Sequence, residues 1–166
     1  MSVGREPGQG KYARSERERR WLVPSVPAAA GRPRRITDRY LLGTSLRLRR
    51  VEDATAVAYK LGQKVRAVPD EPSLVLVTNL YLTEAEYRRL AVLPAAVLDK
   101  TRWLVPYRGA TLAVDEFGGP LRGLVLAETE DALTDLPPWL GREVTSEDRY
   151  SGAALAGAGR VPEDRR

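Results

Sequence analysis

The chain of 166 residues contains neither cysteine nor histidine. The first absence excludes disulfides, zinc–thiolate centres and thiol nucleophiles. The second removes the commonest general base and a frequent metal ligand. Acid–base chemistry then falls to carboxylates, Lys, Arg, Tyr, Ser or Thr, and any metal is a hard ion held by oxygen. Long apolar runs are also missing: the longest, around Leu90 to Leu98, is interrupted by Pro94 and is too short to span a bilayer. The N-terminal stretch lacks the apolar segment of a signal peptide. These absences predict a soluble cytoplasmic protein without membrane contacts.

Positive charge is in excess, with 27 Lys and Arg against 22 Asp and Glu and a formal net charge of +5. Such a balance implies an anionic partner: nucleic acid, a membrane surface or a phosphorylated small molecule. The length fits one domain with a real core. Residues 1–11, rich in Gly and charge, read as a flexible N-terminal segment and 158–166 as a flexible tail, which leaves 12–157 as a single domain.

Short strand-like stretches recur at 14–23, 45–52, 55–65, 73–82, 100–107, 110–117 and 121–130, with turn formers such as Arg108-Gly109 and "FGGP" among them. Helices are few. One follows Thr83, whose N-cap position with Glu86 three residues on makes a capping box, and stops at Pro94. A second is expected over 146–157, capped by Thr145 or Ser146, and a short helical turn could follow Glu130. The class is α+β, mostly antiparallel β.

Strand alternation sorts the charges. In "SERERRWLV", Glu16, Glu18, Arg20 and Leu22 share one face, and Arg17, Arg19, Trp21 and Val23 the other. Arg47 and Arg49 are two apart, as are Lys100 and Arg102, and Glu128 and Glu130, while Lys60 and Asp115 stand singly on their strands. Taken alone, each pair is the ordinary wet face of a half-buried sheet. Taken together, cations cluster on middle segments and carboxylates on the first and last. If the opposite faces, with Trp21, Val23, Leu48, Tyr59, Val125 and Ala127, are covered from outside, the charged faces line the interior of a closed sheet. Cations there would grip a polyanion, and carboxylates among them would hold a divalent metal.

These stretches resemble the CYTH, or triphosphate tunnel metalloenzyme, superfamily. The likeness runs from about Glu16 to Leu155. It rests on Glu16-x-Glu18-x-Arg20, "ITDRYL", "LRLRR", "AYKL", "KTRW", "AVDEFGGPLRGLVLAETE" and "PPWLGREVTSEDRY". The resemblance implies a closed eight-stranded antiparallel β-barrel with a few flanking helices, enclosing a tunnel, and metal-dependent hydrolysis of triphosphate compounds with Mg2+ or Mn2+. It implies Glu16, Glu18, Asp115, Glu128 and Glu130 as metal ligands. Arg20, Arg47, Arg49, Lys60, Lys100 and Arg102 would hold phosphates, Tyr40 would stand at the tunnel, and Glu16, Glu18, Arg20, Glu128 and Glu130 would form the catalytic set.

The chain departs from the family pattern at several positions. Arg20 stands where the family has lysine, and a guanidinium does not act as a base at ordinary pH. Val77, Thr78 and Asn79 replace an Arg-x-Glu-x-Glu run, Ala113 a glutamate, and Gly152 a late asparagine. The expected substrate is inorganic tripolyphosphate, with nucleoside and thiamine triphosphates next. The rival reading is a non-catalytic module that binds polyphosphate or nucleotide phosphates. The expected partner is therefore a small-molecule triphosphate or polyphosphate, and the assembly a monomer or homodimer. Nucleic acid is not expected, because cations share faces with carboxylates and no stacking aromatics are interleaved with them.

Overall fold

The computed structural model describes residues 6–130 and 132–163. In chain order these form β1 (Arg14–Arg17), β2 (Arg19–Leu22), β3 (Arg34–Leu41), β4 (Leu46–Glu52), β5 (Val57–Arg66), β6 (Leu74–Leu82), α1 (Glu84–Leu90), β7 (Ala95–Tyr107), β8 (Ala110–Phe117), β9 (Val125–Thr129) and α2 (Gly152–Ala158). The strands make one sheet in the order β1-β6-β5-β4-β3-β7-β8-β9-β2, and every neighbouring pair is antiparallel.

The two edges of that order are consecutive in the chain. β1 pairs with β6 and β2 with β9, and only Glu18 separates them. The stretch 14–22 therefore joins the two edges and brings the sheet close to full closure. Glu18 marks the changeover: its backbone N–H still donates to the Ser73 carbonyl at 2.8 Å, one step beyond the Arg17–Leu74 pair, and Arg19 already pairs with Thr129 of β9. The structure has 9 strand segments where eight were expected, because the first expected strand is divided at this residue.

The turn of the β7–β8 hairpin has φ of 46° at Arg108 and 85° at Gly109, the paired positive values that suit a tight hairpin to twisted strands. Helix α1 starts as its sequence predicts: Thr83 accepts from the Glu86 N–H, and the Glu86 carboxylate accepts from the Thr83 N–H at 2.7 Å. "FGGP" leads into a short 3-10 turn over Gly119–Leu121.

Several expectations change. The second helix begins six residues later than expected: residues 148–150 form a 3-10 turn, and the N-cap is Ser151 rather than Thr145 or Ser146. Thr145 instead accepts from the Arg20 N–H at 2.9 Å. Residues 132–142 form bends and a turn rather than a helix, and Asp131 lies outside the described residues. β3 was not among the expected strands, and β7 starts at Ala95, five residues before Lys100.

Packing is two-sided. Outside, Val105, Leu112, Val114, Val125 and Ala127 are covered by Val26, Ala30, Leu133, Trp139 and Leu140 from loops. Inside, the apolar side chains Leu22, Tyr40, Leu98, Phe117 and Leu126 pack with Val144, Tyr150 and Leu155 of the C-terminal segment. These form an apolar floor beneath α2, and the charged residues line the rest of the lumen.

Candidate active site in the barrel lumen

Residues opposite one another in a ladder point to the same face of the sheet, so the register can be followed around the barrel. Arg20 faces Glu128, and Glu128 faces Ala113. Asp115 faces Arg102, Ile36 faces Lys100, and Asp38 faces Arg49. Arg49 faces Lys60, and Lys60 faces Tyr81. Lys64 faces Val77, while Glu16 faces Val75. The charged residues singled out on separate stretches thus meet on one inner face.

Ion pairs organise this face into clusters. Arg20 bridges two carboxylates, with Nη2 at 2.6 Å from Glu18 Oε1 and Nε at 2.8 Å from Glu128 Oε1. Asp115 takes Lys100 Nζ at 2.6 Å and Arg102 at 2.6 and 2.7 Å, and Arg102 Nη2 reaches Glu128 Oε2 at 3.3 Å. Asp38 takes Arg49 in a fork at 2.5 and 2.6 Å, with Arg47 Nε 3.7 Å away. Lys64 Nζ donates to Glu18 Oε2 at 2.5 Å.

Burial and charge set the protonation states. Burial works against the Asp115 and Glu128 carboxylates, but the cations around them outweigh it: Lys100 and Arg102 at Asp115, Arg20 foremost at Glu128. Both are held below the usual carboxylate range. Asp38 stays ionised although buried, because Arg49 and then Arg47 lower its carboxyl to about 2. Burial pushes the Lys100 ammonium down, partly offset by Asp115. Tyr40 is raised to about 12 by burial and then by Asp38, which keeps its phenol neutral. Glu130 moves the other way: burial first, then the negative charges of Glu16 and Glu18, raise its carboxyl.

Two lumen cations are less committed. Arg47 Nε is buried without a hydrogen-bond partner, and among the described residues Lys60 has no carboxylate in ion-pair reach; its ammonium lies 4.8 Å from the Tyr81 ring centre. Tyr40 stands beside them with its hydroxyl against α2. A Cβ at Gly152 would lie 1.9 Å from that oxygen, so the glycine is what admits the tyrosine.

Asp38 and Lys64 were not foreseen as site residues. Asp38 is fully buried, and Lys64 lies on the inner face of β5 beyond Gly62. The outward Arg17, Arg19 and Arg50 pair with Glu71, Glu143 and Glu52. Two surface clefts, of about 320 Å³ beside Tyr107 and Leu133 and about 450 Å³ beside Arg19 and Glu143, lie outside the lumen.

Among the described residues no three carboxylates gather closely enough to hold an ion as they stand. The donor set nevertheless suits a hard divalent cation. Glu16, Glu18 and Glu130 are oxygen donors near enough for the first two to raise the third, and a cation relieves such crowding of like charge. Asp115 and Glu128 are instead engaged with cations of the chain. No helix of the described residues is long and apolar enough to cross a membrane.

A nearly closed antiparallel barrel whose lumen carries interleaved cations and carboxylates has the charge pattern to bind a polyanion. No family model matches the chain. An inorganic triphosphatase of Acetivibrio thermocellus is 43% identical over 63 residues, a match spanning 36% of this chain and 40% of that relative's length. The crystal structure of the inorganic triphosphatase NE1496 has a TM-score of 0.55 at 25% identity, covering 89% of this chain and 97% of that one. The PH1819 protein of Pyrococcus horikoshii OT3 shares the fold at 17% identity, with a TM-score of 0.51 and coverage of 91% and 94%. In fold, and over the matched stretch in sequence, the chain is therefore similar to inorganic triphosphatases, of which the curated relative is matched over less than half its length.

Proposed function

We propose that the protein hydrolyses the terminal phosphoanhydride of triphosphate compounds, inorganic tripolyphosphate first, with Mg2+ or Mn2+ as cofactor. The observation that carries this reading is the single inner face that joins Arg20, Arg47, Arg49, Lys60, Lys100 and Arg102 to Glu16 and Glu128, with Glu18 tied to it by Arg20 and Glu130 close to Glu16 and Glu18. The likeness to two inorganic triphosphatases supports the same substrate class.

Arg47 and Lys60, the least committed cations, receive the phosphate chain first. Arg49 and Arg102, fixed by Asp38 and Asp115, present rigid guanidinium forks that orient phosphate oxygens in a water-poor wall. Such preorganised charge stabilises the oxygens of the transferring phosphoryl group as negative charge shifts between them. Glu16, Glu18 and Glu130 would hold the divalent cation, which neutralises and polarises the phosphoryl group when bound. Arg20 keeps its proton and therefore positions Glu18 and Glu128 instead of accepting one. With no histidine in the chain, a lumen carboxylate takes the proton of the attacking water.

A parallel assay of phosphate release from tripolyphosphate, ATP and thiamine triphosphate tests the reading, with each metal and with a chelator. Metal-dependent release led by tripolyphosphate is expected. Tight tripolyphosphate binding without release would establish the binding-module alternative, and release led by ATP or thiamine triphosphate would reassign the substrate.

A further inference from the structure

The lumen is closed at the end where Tyr40, Leu98, Phe117 and Leu126 pack with the C-terminal segment as an apolar floor. Counted outward from that floor, the inner face of β3 runs Tyr40, Asp38, Ile36 and Arg34, and that of β7 runs Leu98, Lys100 and Arg102. The inner face of β5 runs Lys64, Gly62 and Lys60, and that of β6 Val77, Asn79 and Tyr81. On β1, Glu16 is followed outward by Arg14. Arg14, Arg34, Lys60 and Tyr81 are therefore the outermost charged or aromatic residues of four inner faces, and they form the rim of the open mouth. Exposure follows the same order: Asp38 is fully buried, whereas Arg14, Arg34 and Tyr81 are exposed.

Two rim cations lack a counter-charge. Among the described residues Arg14 and Arg34 have no carboxylate in ion-pair reach, whereas the outward Arg17, Arg50, Arg88 and Arg108 each pair with one. Asp53 feels the charge of Arg34, but its carboxylate is taken by the Thr55 and Ala56 N–H groups. Arg34 also stands directly opposite Arg102 in the β3–β7 ladder, and like charges so placed repel. Arg102 has Asp115 and Glu128 to offset its charge, and Arg34 has nothing equivalent. An anion held at the rim removes that repulsion.

We propose that Arg14 and Arg34 form a collar for phosphates beyond the third, so that the lumen takes longer linear polyphosphates by one end as well as tripolyphosphate. The proposal rests on the triphosphate reading of the lumen and extends its substrate class. The floor bars a long chain from passing through, so whatever exceeds the lumen leaves past the rim. Two residues of strand rise about 6.6–6.8 Å, and with strands tilted by about 35–45° one inner-face step advances about 5 Å along the barrel. Arg34 stands two such steps, about 10 Å, outside Asp38, the residue that fixes Arg49. That separation keeps it clear of a triphosphate gripped at Arg47, Arg49 and Lys100 and within reach of the chain that follows. A guanidinium fork takes two oxygens of any phosphate presented to it, which suits a repeating chain.

Calorimetry on the full chain, in chelator, compares tripolyphosphate with a long-chain linear polyphosphate counted as molecules. The wild type should bind the long chain about fivefold or more tightly than tripolyphosphate. Arg34→Gln and Arg14→Gln should each weaken the long chain about threefold, the scale of one exposed charge contact, and leave tripolyphosphate within about 1.5-fold. The double variant should bring the two ligands to within about twofold of each other. Arg122→Gln removes the same charge from an exposed turn at the floor end of β8 and should change neither affinity. Arg34→Gln should melt at or above the wild-type temperature, because it removes a like-charge pair. Equal losses for both ligands, no loss for the long chain, or an equal loss in Arg122→Gln overturns the proposal. So does a lower melting temperature in Arg34→Gln, which would mean that the chain itself neutralises that charge. A wild type that binds tripolyphosphate without preferring the long chain overturns the collar alone, and one that binds neither overturns the triphosphate reading beneath it.

Discussion

Asp38 is the residue on which the cationic wall depends, and its replacement by asparagine gives a measurable consequence. The carboxylate is 0% exposed, accepts the Arg49 fork at 2.5 and 2.6 Å, and has Arg47 at 3.7 Å. Asp38→Asn keeps the shape and removes the charge, leaving two guanidiniums facing one another in a wall that water reaches poorly. Breaking a buried pair by removing one partner costs about 3–5 kcal/mol, because the surviving charge stays buried. With a urea m-value of about 2–3 kcal/mol/M for a domain of this size, the midpoint should fall by roughly 1.5 M. Tripolyphosphate should restore more of this loss in the variant than it adds to the wild type, since the polyanion replaces the missing counter-charge. Urea titrations followed by tryptophan fluorescence, with and without tripolyphosphate, read both effects. A midpoint shift corresponding to less than about 1 kcal/mol would refute the reasoning, because that is no more than an average substitution costs.

The same carboxylate makes stability depend on pH. Its pKa falls from 3.8 to about 2 on folding, so its contribution is complete above the unfolded value and is lost as pH drops through the folded one. About 2 kcal/mol of stability should disappear between roughly pH 4 and 2 from this residue, and the gap between wild type and Asp38→Asn should narrow over that window. A gap that stays constant in urea titrations across that range contradicts the assignment. At the acidic end of the lumen, Glu16→Gln and Glu130→Gln should each lower the turnover of tripolyphosphate by about two orders of magnitude or more, the scale of losing one electrostatic stabiliser. Their circular dichroism and melting temperature should stay near wild type; full activity in both would remove these carboxylates from the mechanism.

The inner face was legible in the sequence because a charged lumen inverts the usual pattern. Pairs two apart, such as Arg47 with Arg49 and Lys100 with Arg102, keep their period even though they point inward. β3 was not legible as a strand for the opposite reason. Its inner face carries Ile36, Asp38 and Tyr40 and its outer face Thr37, Arg39 and Leu41, so both faces mix polar and apolar residues and no alternation of hydropathy survives. Asp38 went unnoticed with it. Lys64 was hidden because Gly62 interrupts the charged face between it and Lys60. The division at Glu18 has no Gly or Pro to announce it; it follows from the two halves of one stretch pairing with different strands. The late start of α2 reflects a competition between caps. Thr145 and Ser146 are equally good by residue type, but Thr145 is spent on the Arg20 N–H and Ser151 takes the cap, accepting from Ala154 N–H.

Phosphate release from inorganic tripolyphosphate by the purified chain, with Mg2+ or Mn2+ and with a chelator control, tests the central claim most directly. The account predicts release that requires the metal, stops in chelator and exceeds that from ATP or thiamine triphosphate. No release under any of these conditions, from a folded protein that binds tripolyphosphate, would contradict it and leave the lumen a binding site.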